Sequence, residues 1–470
     1  MTRVAAAVGA NMVGVIGAGY VGLTTAACLS HLGHYVRCAD ISPLLIQELQ
    51  LGRVAMVEPG LEQLVQDGIG QGRLSFTVDT RAAVADAQTV FLCLPTPSGP
   101  DGSADISALE SVVSGIADRL RPGCVVVIKS TAPPGTAAKM ASLILRDDIP
   151  LAVNPEFLRE GHAVEDFLNP QRIVVGADSP TIGQLVGDMY ARLSAPLILT
   201  STTSAELAKY AANCFLATKL SYVNEIAELC ECVGADITEV TSVLASDSRI
   251  GEGYLRPGPG WGGPCLPKDV RALLHVSSAN GHESRLLHAA LTANEDQHRR
   301  VADKVRRSVS GDLAGARVAL LGLTFKADIS DVRESPALAV AALLAAEQAV
   351  VTAYDPYVRE NLPHVTLAAD PYAAMRMADA VLVMTEWPQF QHLDWHRARA
   401  AMRGDTVIDA RNHLRAPALH AAGLRWHGLG KPLSNAHAGC AHVRESRAAS
   451  HGLAGTSQLT ASGSLTAPED

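Results

Sequence analysis

Val13-Gly-Val-Ile16-Gly17-Ala-Gly19-Tyr20-Val21-Gly22 decides how the first half of this chain folds. The run ending at Ile16 reads as a short buried strand. The glycines after it fall at the spacing of a strand-to-helix turn wrapped around a dinucleotide pyrophosphate. Gly17 permits the tight turn, Gly19 lets a phosphate approach the backbone, and Gly22 lets the helix pack closely. Tyr20 and Val21 open that helix, where free amides meet the phosphates. A glycine turn of this kind also occurs with no nucleotide. Asp40 argues against that reading, because it ends a second strand, Tyr35 to Ala39, where a carboxylate accepts from a ribose hydroxyl. The same charge repels a 2′-phosphate, so the expected cofactor is NAD rather than NADP.

Outward from this unit the alternation continues. Thr89 to Leu94 and Val125 to Lys129 read as further strands, each ending in a loop rich in Gly, Pro, Ser or Thr. That pattern implies a parallel sheet covered by helices, with ligands at the strands' carboxyl ends. From Thr203 to about Val233 the pattern is helical, with Thr203 and Glu206 as a capping box and Gly234 as the stop. A Gly/Pro-rich loop follows from Gly251 to Pro267. Arg317 to Leu321 starts a second α/β unit, with a helix after Ser335, a strand ending at Asp355, and strands at Ala380 to Met384 and Thr406 to Ile408. The expected class is therefore α/β, with two Rossmann-like doubly wound domains joined by a long central helix. The expected divisions are an extension over 1–11, a cofactor domain over 12–202, a central helical segment over 203–300, a second α/β domain over 301–430, and a disordered tail over 431–470.

The totals bound the function. A chain of 470 residues is too long for one core, and 48% hydrophobic residues suffice for several. A net charge of -9 gives no general attraction to nucleic acid or to an anionic membrane. An anionic ligand must be held by local donors. The nine cysteines are odd in number and lack framework spacing, as expected in the reducing cytoplasm. Cys230 and Cys232 point to different sides of a helix, so no metal site is expected there. The uncharged stretch between Arg3 and Arg37 is broken by Gly14, Gly17, Gly19, Gly22 and Gly33 and by His31 and His34, which argues against a membrane span.

Several residues carry chemistry. A cysteine is ordinarily a small buried hydrophobe. Cys265 differs, because Gly262 and Gly263 open its loop and Lys268 and Asp269 lie beside it. A thiolate near a cation is a competent nucleophile. Lys209 and Asn213, four apart, share one helical face. Glu156 follows an Asn-Pro turn at a strand end. Taken singly, each has a bland alternative as a solvated lysine, a turn carboxylate or a surface ion pair.

Taken together they do not. Ser130-Thr-Ala-Pro-Pro-Gly-Thr136, Asn154-Pro-Glu-Phe-Leu-Arg-Glu-Gly161, Ala205-Glu-Leu-Ala-Lys209-Tyr-Ala-Ala-Asn213, Gly262-Gly-Pro-Cys265-Leu-Pro-Lys268-Asp269, Gly322-Leu-Thr-Phe-Lys326-Ala-Asp and Arg333-Glu-Ser-Pro336 closely resemble the UDP-glucose/GDP-mannose 6-dehydrogenase family. The resemblance runs in order over residues 12 to 430. It implies an NAD-dependent, four-electron oxidation of a sugar nucleotide's C6 alcohol to a carboxylate. Pro100-Asp101-Gly-Ser-Ala-Asp105 and the Cys265 loop lean towards UDP-glucose, giving UDP-glucuronate, over GDP-mannose or another nucleotide sugar.

The resemblance also assigns roles. Cys265 would form a thiohemiacetal and then a thioester, Lys209 would stabilise the oxyanion, and Asn213 would bond the sugar or a water. Glu156 would be the base for hydrolysis, with Asp269 and Thr131 orienting the water; the first proton acceptor stays open between Asp269 and Lys209. Thr96, Thr131, Glu160, Lys268 and Arg333 would complete the NAD contacts. Glu156, Phe157, Leu158, Arg159 and Glu160, the loop Tyr254, Leu255, Arg256, Pro257 and Gly258, and Gly262 would line the substrate. The second α/β domain would hold the nucleotide diphosphate through Lys326, with Arg411 as a further contact. Arg249 would reach the site of a neighbouring subunit, so a homodimer or higher oligomer is expected, with the central segment supplying the interface. This sequence departs from the pattern at Leu45, where many members carry a lysine beside the ribose, and at Trp261, where a smaller aromatic is common. A two-electron β-hydroxyacid dehydrogenase would need neither Cys265 nor the second domain, and a non-catalytic nucleotide binder would have lost Cys265, Lys209 and Glu156.

Overall fold

The computed structural model describes residues 11–309 and 311–432. The expected extension and tail lie outside the described residues, apart from Asn11, Lys431 and Pro432.

An eight-stranded sheet forms the first half. Its strands are β1 (Met12–Ile16), β2 (Tyr35–Ala39), β3 (Leu74–Thr77), β4 (Thr89–Leu92), β5 (Val125–Ile128), β6 (Leu151–Val153), β7 (Ile173–Ala177) and β8 (Leu197–Thr200). They lie in the order β3-β2-β1-β4-β5-β6-β7-β8. The chain starts in the middle, runs outward to β3, then crosses back to β4. That reversal leaves a crevice over the carboxyl ends of β1 and β4, where open α/β sheets bind ligands. Alternate residues of each strand feed two cores, Val13 and Val15 on one face and Ile16 on the other.

The sheet is not wholly parallel, as the sequence pattern had implied. β7 runs antiparallel to β6, with Val153 opposite Gly176. An antiparallel neighbour re-enters the sheet at the end its predecessor left. The segment 154–172 therefore never crosses to the far edge and stays above the carboxyl ends of the strands. Glu156 to Gly161 are delivered to the crevice by this reversal.

Helix α1 (Tyr20–His31) follows β1, and α2 (Thr136–Ile144) follows the loop after β5. The central helix α3 spans Thr202–Val233, 32 residues, and ends at Gly234 in the left-handed conformation. Its cap differs from the expected box. The Ser201 hydroxyl accepts from the Ser204 amide. Glu206 turns away from its own helix, and its two carboxylate oxygens accept from the Gly135 and Ala137 amides, each at 2.7 Å. Those amides begin α2, so the carboxylate caps a neighbouring helix and the box over Thr203 does not form.

The middle of the chain is more than one helix. α4 (Leu266–Ala279) and α5 (Arg285–Ser308) pack along α3 around Cys214, Ala217, Trp261, Val270 and Leu287. The outer face of α3 leaves Phe215, Tyr222 and Leu229 exposed at seven-residue intervals, with Leu207 and Val233 beyond them. No described helix is long and apolar enough to cross a membrane.

A second sheet, all parallel, is built from β9 (Arg317–Leu321), β10 (Val350–Tyr354), β11 (Thr366–Leu367), β12 (Ala380–Val383), β13 (Thr406–Asp409) and β14 (Arg425–Gly428) in the order β11-β10-β9-β12-β13-β14. Helix α6 (Pro336–Ala346) follows β9 only after a fourteen-residue loop, 322–335. Two Rossmann-like sheets and a long central helix are thus present, in agreement with the expected class.

Candidate active site

The glycine turn at the end of β1 has the shape a dinucleotide requires. Gly17 has φ +96°, and a Cβ on it would overlap the Cys93 carbonyl; one on Gly22 would overlap the Gly17 carbonyl. A Cβ on Gly19 would meet no protein atom within 4 Å, so the turn is closed on its protein side and open where a pyrophosphate would approach. No side chain caps α1 and no acidic residue sits in its first turn, leaving its amides available to an anion. Asp40 ends β2 as expected, accepting from the Ala18 amide at 2.8 Å and the Ser42 amide at 3.0 Å. One lone pair on each oxygen stays free for a ribose hydroxyl. Leu45, where the resemblance led to the expectation of a lysine, packs on the core instead. Thr96 donates to the Thr131 carbonyl at 2.7 Å and locks together the loops after β4 and β5.

Tyr20 shows a link that sequence reading missed. Its hydroxyl bonds the Glu58 carboxylate and accepts from the Gly161 amide at 2.7 Å. Glu58, 8% exposed, also accepts from Val164. The cofactor turn is thereby fastened to the segment that carries Glu156. No local motif announces Glu58, which lies between two helices.

Of seven free cysteines among the described residues, six are buried and Cys265 is exposed. It occupies the N-cap of α4, where the helix's positive end favours a thiolate. Around it the structure gathers the other candidates. The Lys209 ammonium lies 2.9 Å from the Glu156 carboxylate. Asn213 Nδ2 donates to Asp269 Oδ2 at 2.6 Å, and Lys268 Nζ to Asp269 Oδ1 at 2.6 Å. Lys209, Glu156, Asn213 and Asp269 are all buried.

Burial pushes the Cys265 thiol up to about 12, with Glu156 and Asp269 adding to the effect and Lys209 and Lys268 opposing it. Water in the open cleft relieves part of that push, since the residue is exposed. Burial also pushes Glu156 up, but the Lys209 ammonium and the Leu158 amide outweigh it and hold the carboxyl below its usual range. For Lys209, burial lowers the ammonium's pKa, and the surrounding Glu156, Cys265 and Asp269 raise it above its ordinary value. The pair is therefore held as ammonium and carboxylate.

A cleft of about 650 Å³ opens beside this pair, lined by 154–159, Lys209, Asn213, Gly253 and Tyr254. Phe157 stands in its wall with the Arg172 guanidinium 3.9 Å from its ring centroid. Leu158 donates its amide to Glu156 at 2.5 Å, and Arg159 pairs with Asp166. Of the loop beyond Tyr254, Leu255, Pro257 and Gly258 are buried, whereas Arg256 faces solvent. Gly258 donates to Asn224 at 2.8 Å and lies close under the Arg411 guanidinium. Arg411 donates to the Phe325 and Met384 carbonyls, both at 2.9 Å, so it joins the second sheet to this loop. Gly262 abuts the Glu334 carbonyl so tightly that a Cβ would overlap it.

Lys326 donates to the Glu160 carbonyl, and Arg333 lies 3.8 Å from the Glu160 carboxylate. Burial, reinforced by Asp331, pushes Glu160 up to about 7 against the pull of Arg333 and Lys326. The loop after β9 thus meets the segment after β6 directly. Arg249 is the exception among the sequence candidates. It is exposed, pairs with its own Asp247 and is not brought to this chain's cluster.

Comparison with known proteins agrees with this arrangement. Residues 11–194 match the NAD binding domain of the UDP-glucose/GDP-mannose dehydrogenase family, 203–296 its central domain and 319–416 its UDP binding domain. A UDP-glucose 6-dehydrogenase of Rhizobium meliloti is 40% identical over 432 residues, covering 89% of this chain and 99% of that one. The structure of a UDP-glucose dehydrogenase from Pyrobaculum islandicum superposes with a TM-score of 0.83 at 35% identity, covering 92% of this chain and all of that one. A UDP-D-ManNAc dehydrogenase from Pyrococcus horikoshii gives 0.80 at 28% identity, covering 89% and 99%. With three family domains in order, a cradle shaped for NAD and a cysteine set beside a buried ion pair, the chain belongs to the UDP-glucose/GDP-mannose dehydrogenase family.

Proposed function

We propose that this enzyme oxidises UDP-glucose to UDP-glucuronate in two successive two-electron steps, with Cys265 as the covalent attachment point. The observation that carries the reading is an exposed thiol at a helix N-terminus beside a buried Lys209–Glu156 pair. The names of the relatives support UDP-glucose as the sugar nucleotide. The turn from Gly17 to Gly22 would hold NAD, which would supply a hydride acceptor for each oxidation.

The chain's own groups supply the rest. Lys209, its ammonium favoured by the carboxylates around it, stabilises the alkoxide, and Asp269, joined to the cluster through Asn213 at 2.6 Å, takes the first proton in this reading. The Cys265 sulfur then bonds the aldehyde carbon, and the thiol proton ends on the former carbonyl oxygen. A raised thiol pKa is compatible with this step, because no free thiolate need accumulate. Loss of a second hydride and a proton converts the thiohemiacetal to a thioester. Glu156, held ionised, takes a proton from water as it attacks, and the thiol leaves. One alcohol, two NAD and one water become one carboxylate, two NADH and three protons. Thr131 and Asn213 steady the water, and Thr96, Glu160, Lys268 and Arg333 flank NAD. Lys326 and Arg411 hold the nucleotide from the second α/β domain, over 301–430.

The enzyme works in the cytoplasm as a homodimer or a larger homo-oligomer. The row Phe215, Tyr222 and Leu229 on α3 supports this, because seven-residue spacing suits packing against a second copy. The exposed side chain of Arg249, exchanging its Asp247 partner, then reaches the neighbour's site. One assay tests the chemistry. Purified enzyme with UDP-glucose is expected to form two NADH per sugar with no free aldehyde. One NADH per sugar, or unchanged turnover in Cys265→Ala, overturns it. Running UDP-N-acetyl sugars and GDP-mannose alongside tests the alternative sugars, to which the UDP-D-ManNAc dehydrogenase likeness gives some weight.

A further inference from the structure

Lys129 follows four buried β-branched residues and is itself 4% exposed. Among the described residues no carboxylate pairs with its ammonium. Nζ donates instead to Asn154 Oδ1 at 3.0 Å, an oxygen that also accepts from the Tyr190 hydroxyl at 2.6 Å. Asn154 Nδ2 is occupied by the Val174 carbonyl at 2.8 Å. The rings of Phe167 and Tyr190 stand 5.8 and 5.9 Å away. A buried cation without an ion-pair partner is costly, and this one lies in the wall of the same cleft as Glu156. Its one side-chain acceptor, Asn154, stands two residues before Glu156 at the base of the same turn.

We propose that Lys129 is a positioning residue for hydrolysis: anchored through Asn154, its ammonium keeps Glu156 ionised while Lys209 is engaged by the substrate oxyanion. The proposal rests on Glu156 being the base. Lys209 cannot serve both charges fully at once, and among the described residues Lys129 has no other anion to satisfy. The groups facing Lys129 are the Cys28 and Cys93 thiols, Tyr190, Glu156 and Lys209, and those facing Glu156 are Lys209, Lys129, Cys93 and Cys265. Burial pushes both Cys28 and Cys93 well up, so neither thiol supplies a competing negative charge.

The test follows the second stage alone. Enzyme is mixed with one equivalent of UDP-glucose and excess NAD, quenched, and the decay of the Cys265 thioester is followed from pH 5 to 9. In the wild type the rate falls on the acid side, and Glu156→Gln abolishes that limb. If Glu156→Gln leaves the limb in place, the reading of Glu156 as the base fails and the proposal for Lys129 falls with it. Given that control, Lys129→Met is expected to move the acid midpoint upward by about one unit, as the removal of a nearby charge at partial screening requires. The plateau rate should stay within about tenfold. A lysine that served packing alone would lower the amount of folded enzyme and leave the midpoint unmoved. If Lys129→Met does not fold, Asn154→Asp carries the test, since it neutralises Lys129 in place and should produce the same upward shift. An unmoved midpoint in a folded variant overturns the proposal.

Discussion

The two sheets begin with the same turn and put it to different uses. In the first, the Gly17 amide donates to the Ala39 carbonyl and the Ala18 amide to Asp40. In the second, the Gly322 amide donates to the Tyr354 carbonyl and the Leu323 amide to Asp355, at the same 2.8 Å distances. After that they diverge. α1 starts three residues beyond Gly17, so its amides face the open side of Gly19. Beyond Gly322 the chain makes the fourteen-residue excursion to Ser335 before α6 begins. Asp40 keeps an open flank, whereas Asp355 is 2% exposed and also accepts from Thr324, Tyr357 and the Trp387 indole. One turn is open on the side where a ligand's hydroxyl and phosphate would approach. The other is sealed by its own side chains, and its long loop becomes a wall of the other domain's site.

The largest effect should come from closing the open turn. Gly22→Ala places a methyl carbon onto the Gly17 carbonyl. Relief of that overlap must move the cradle at a cost of about 3 kcal/mol, or about 100-fold in NAD affinity. Gly19→Ala is the informative partner, because its Cβ meets no protein atom. It should weaken NAD binding while leaving the melting temperature unchanged. A Gly19→Ala protein that binds NAD normally by calorimetry would show that the open side of this turn is not where the pyrophosphate lies.

Much of this contrast is legible in the sequence, and the limits are physical. Gly17-Ala-Gly19-Tyr-Val-Gly22 against Gly322-Leu-Thr-Phe-Lys326 already says which turn is open, since three glycines at that spacing leave room for a phosphate. β2 and β9 lie where the β-branched runs put them. β6 has only three residues, and nothing in a run that short discloses an antiparallel partner. Glu206 was open to two readings, because a glutamate three places into a helix can cap its own amides or a neighbour's. Glu58, Arg172 and Lys129 acquire partners only when segments 15 or more residues apart are brought together, which no local spacing reveals. The cluster around Cys265 was more legible, because Lys209 and Asn213 sit on one helix and Lys268 and Asp269 lie just after Cys265.

Removing the two acidic residues separates the turns by stability. Asp355→Ala leaves several buried donors, including an indole N–H, without an acceptor, and should cost about 3 kcal/mol in urea unfolding. Asp40→Ala leaves amides that the open flank lets water reach, so its cost should be about 1 kcal/mol. Its main effect should be weaker NAD binding and a reduced preference over NADP. Equal losses of stability in the two variants would contradict the distinction between sealed and open turns.

Smaller again is the effect of the junction between the domains. Glu160, facing Arg333 and Asp331, has a pKa of about 7 against an ordinary 4.5. The folded chain therefore holds this proton more tightly than the unfolded chain. Stability from that site is full at low pH, falls as the pH rises from about 4.5 to about 7, and is level above that. The drop should be about 2 kcal/mol, and Glu160→Gln should flatten it. A slope of the opposite sign, abolished by the same substitution, would mean that Arg333 holds Glu160 ionised.

The least effect should come from the most conspicuous cross-domain contact. Arg271 on α4 and Glu334 in the long loop form two hydrogen bonds, at 3.0 and 2.9 Å, only six residues from Cys265. Both side chains are more than a third exposed, so water and salt screen the pair and its contribution should stay below about 1 kcal/mol. What holds the Cys265 loop is packing: Gly262 lies against the Glu334 carbonyl and Gly263 against the Phe325 ring. Arg271→Ala should therefore change kcat less than twofold, with no added dependence on salt. Gly262→Ala should lower kcat much more, because a methyl group there pries the loop from the sealed turn's wall. If Arg271→Ala were the more damaging of the two, the long loop would be positioned by charge, and the sealed turn behind it would not be what fixes the nucleophile.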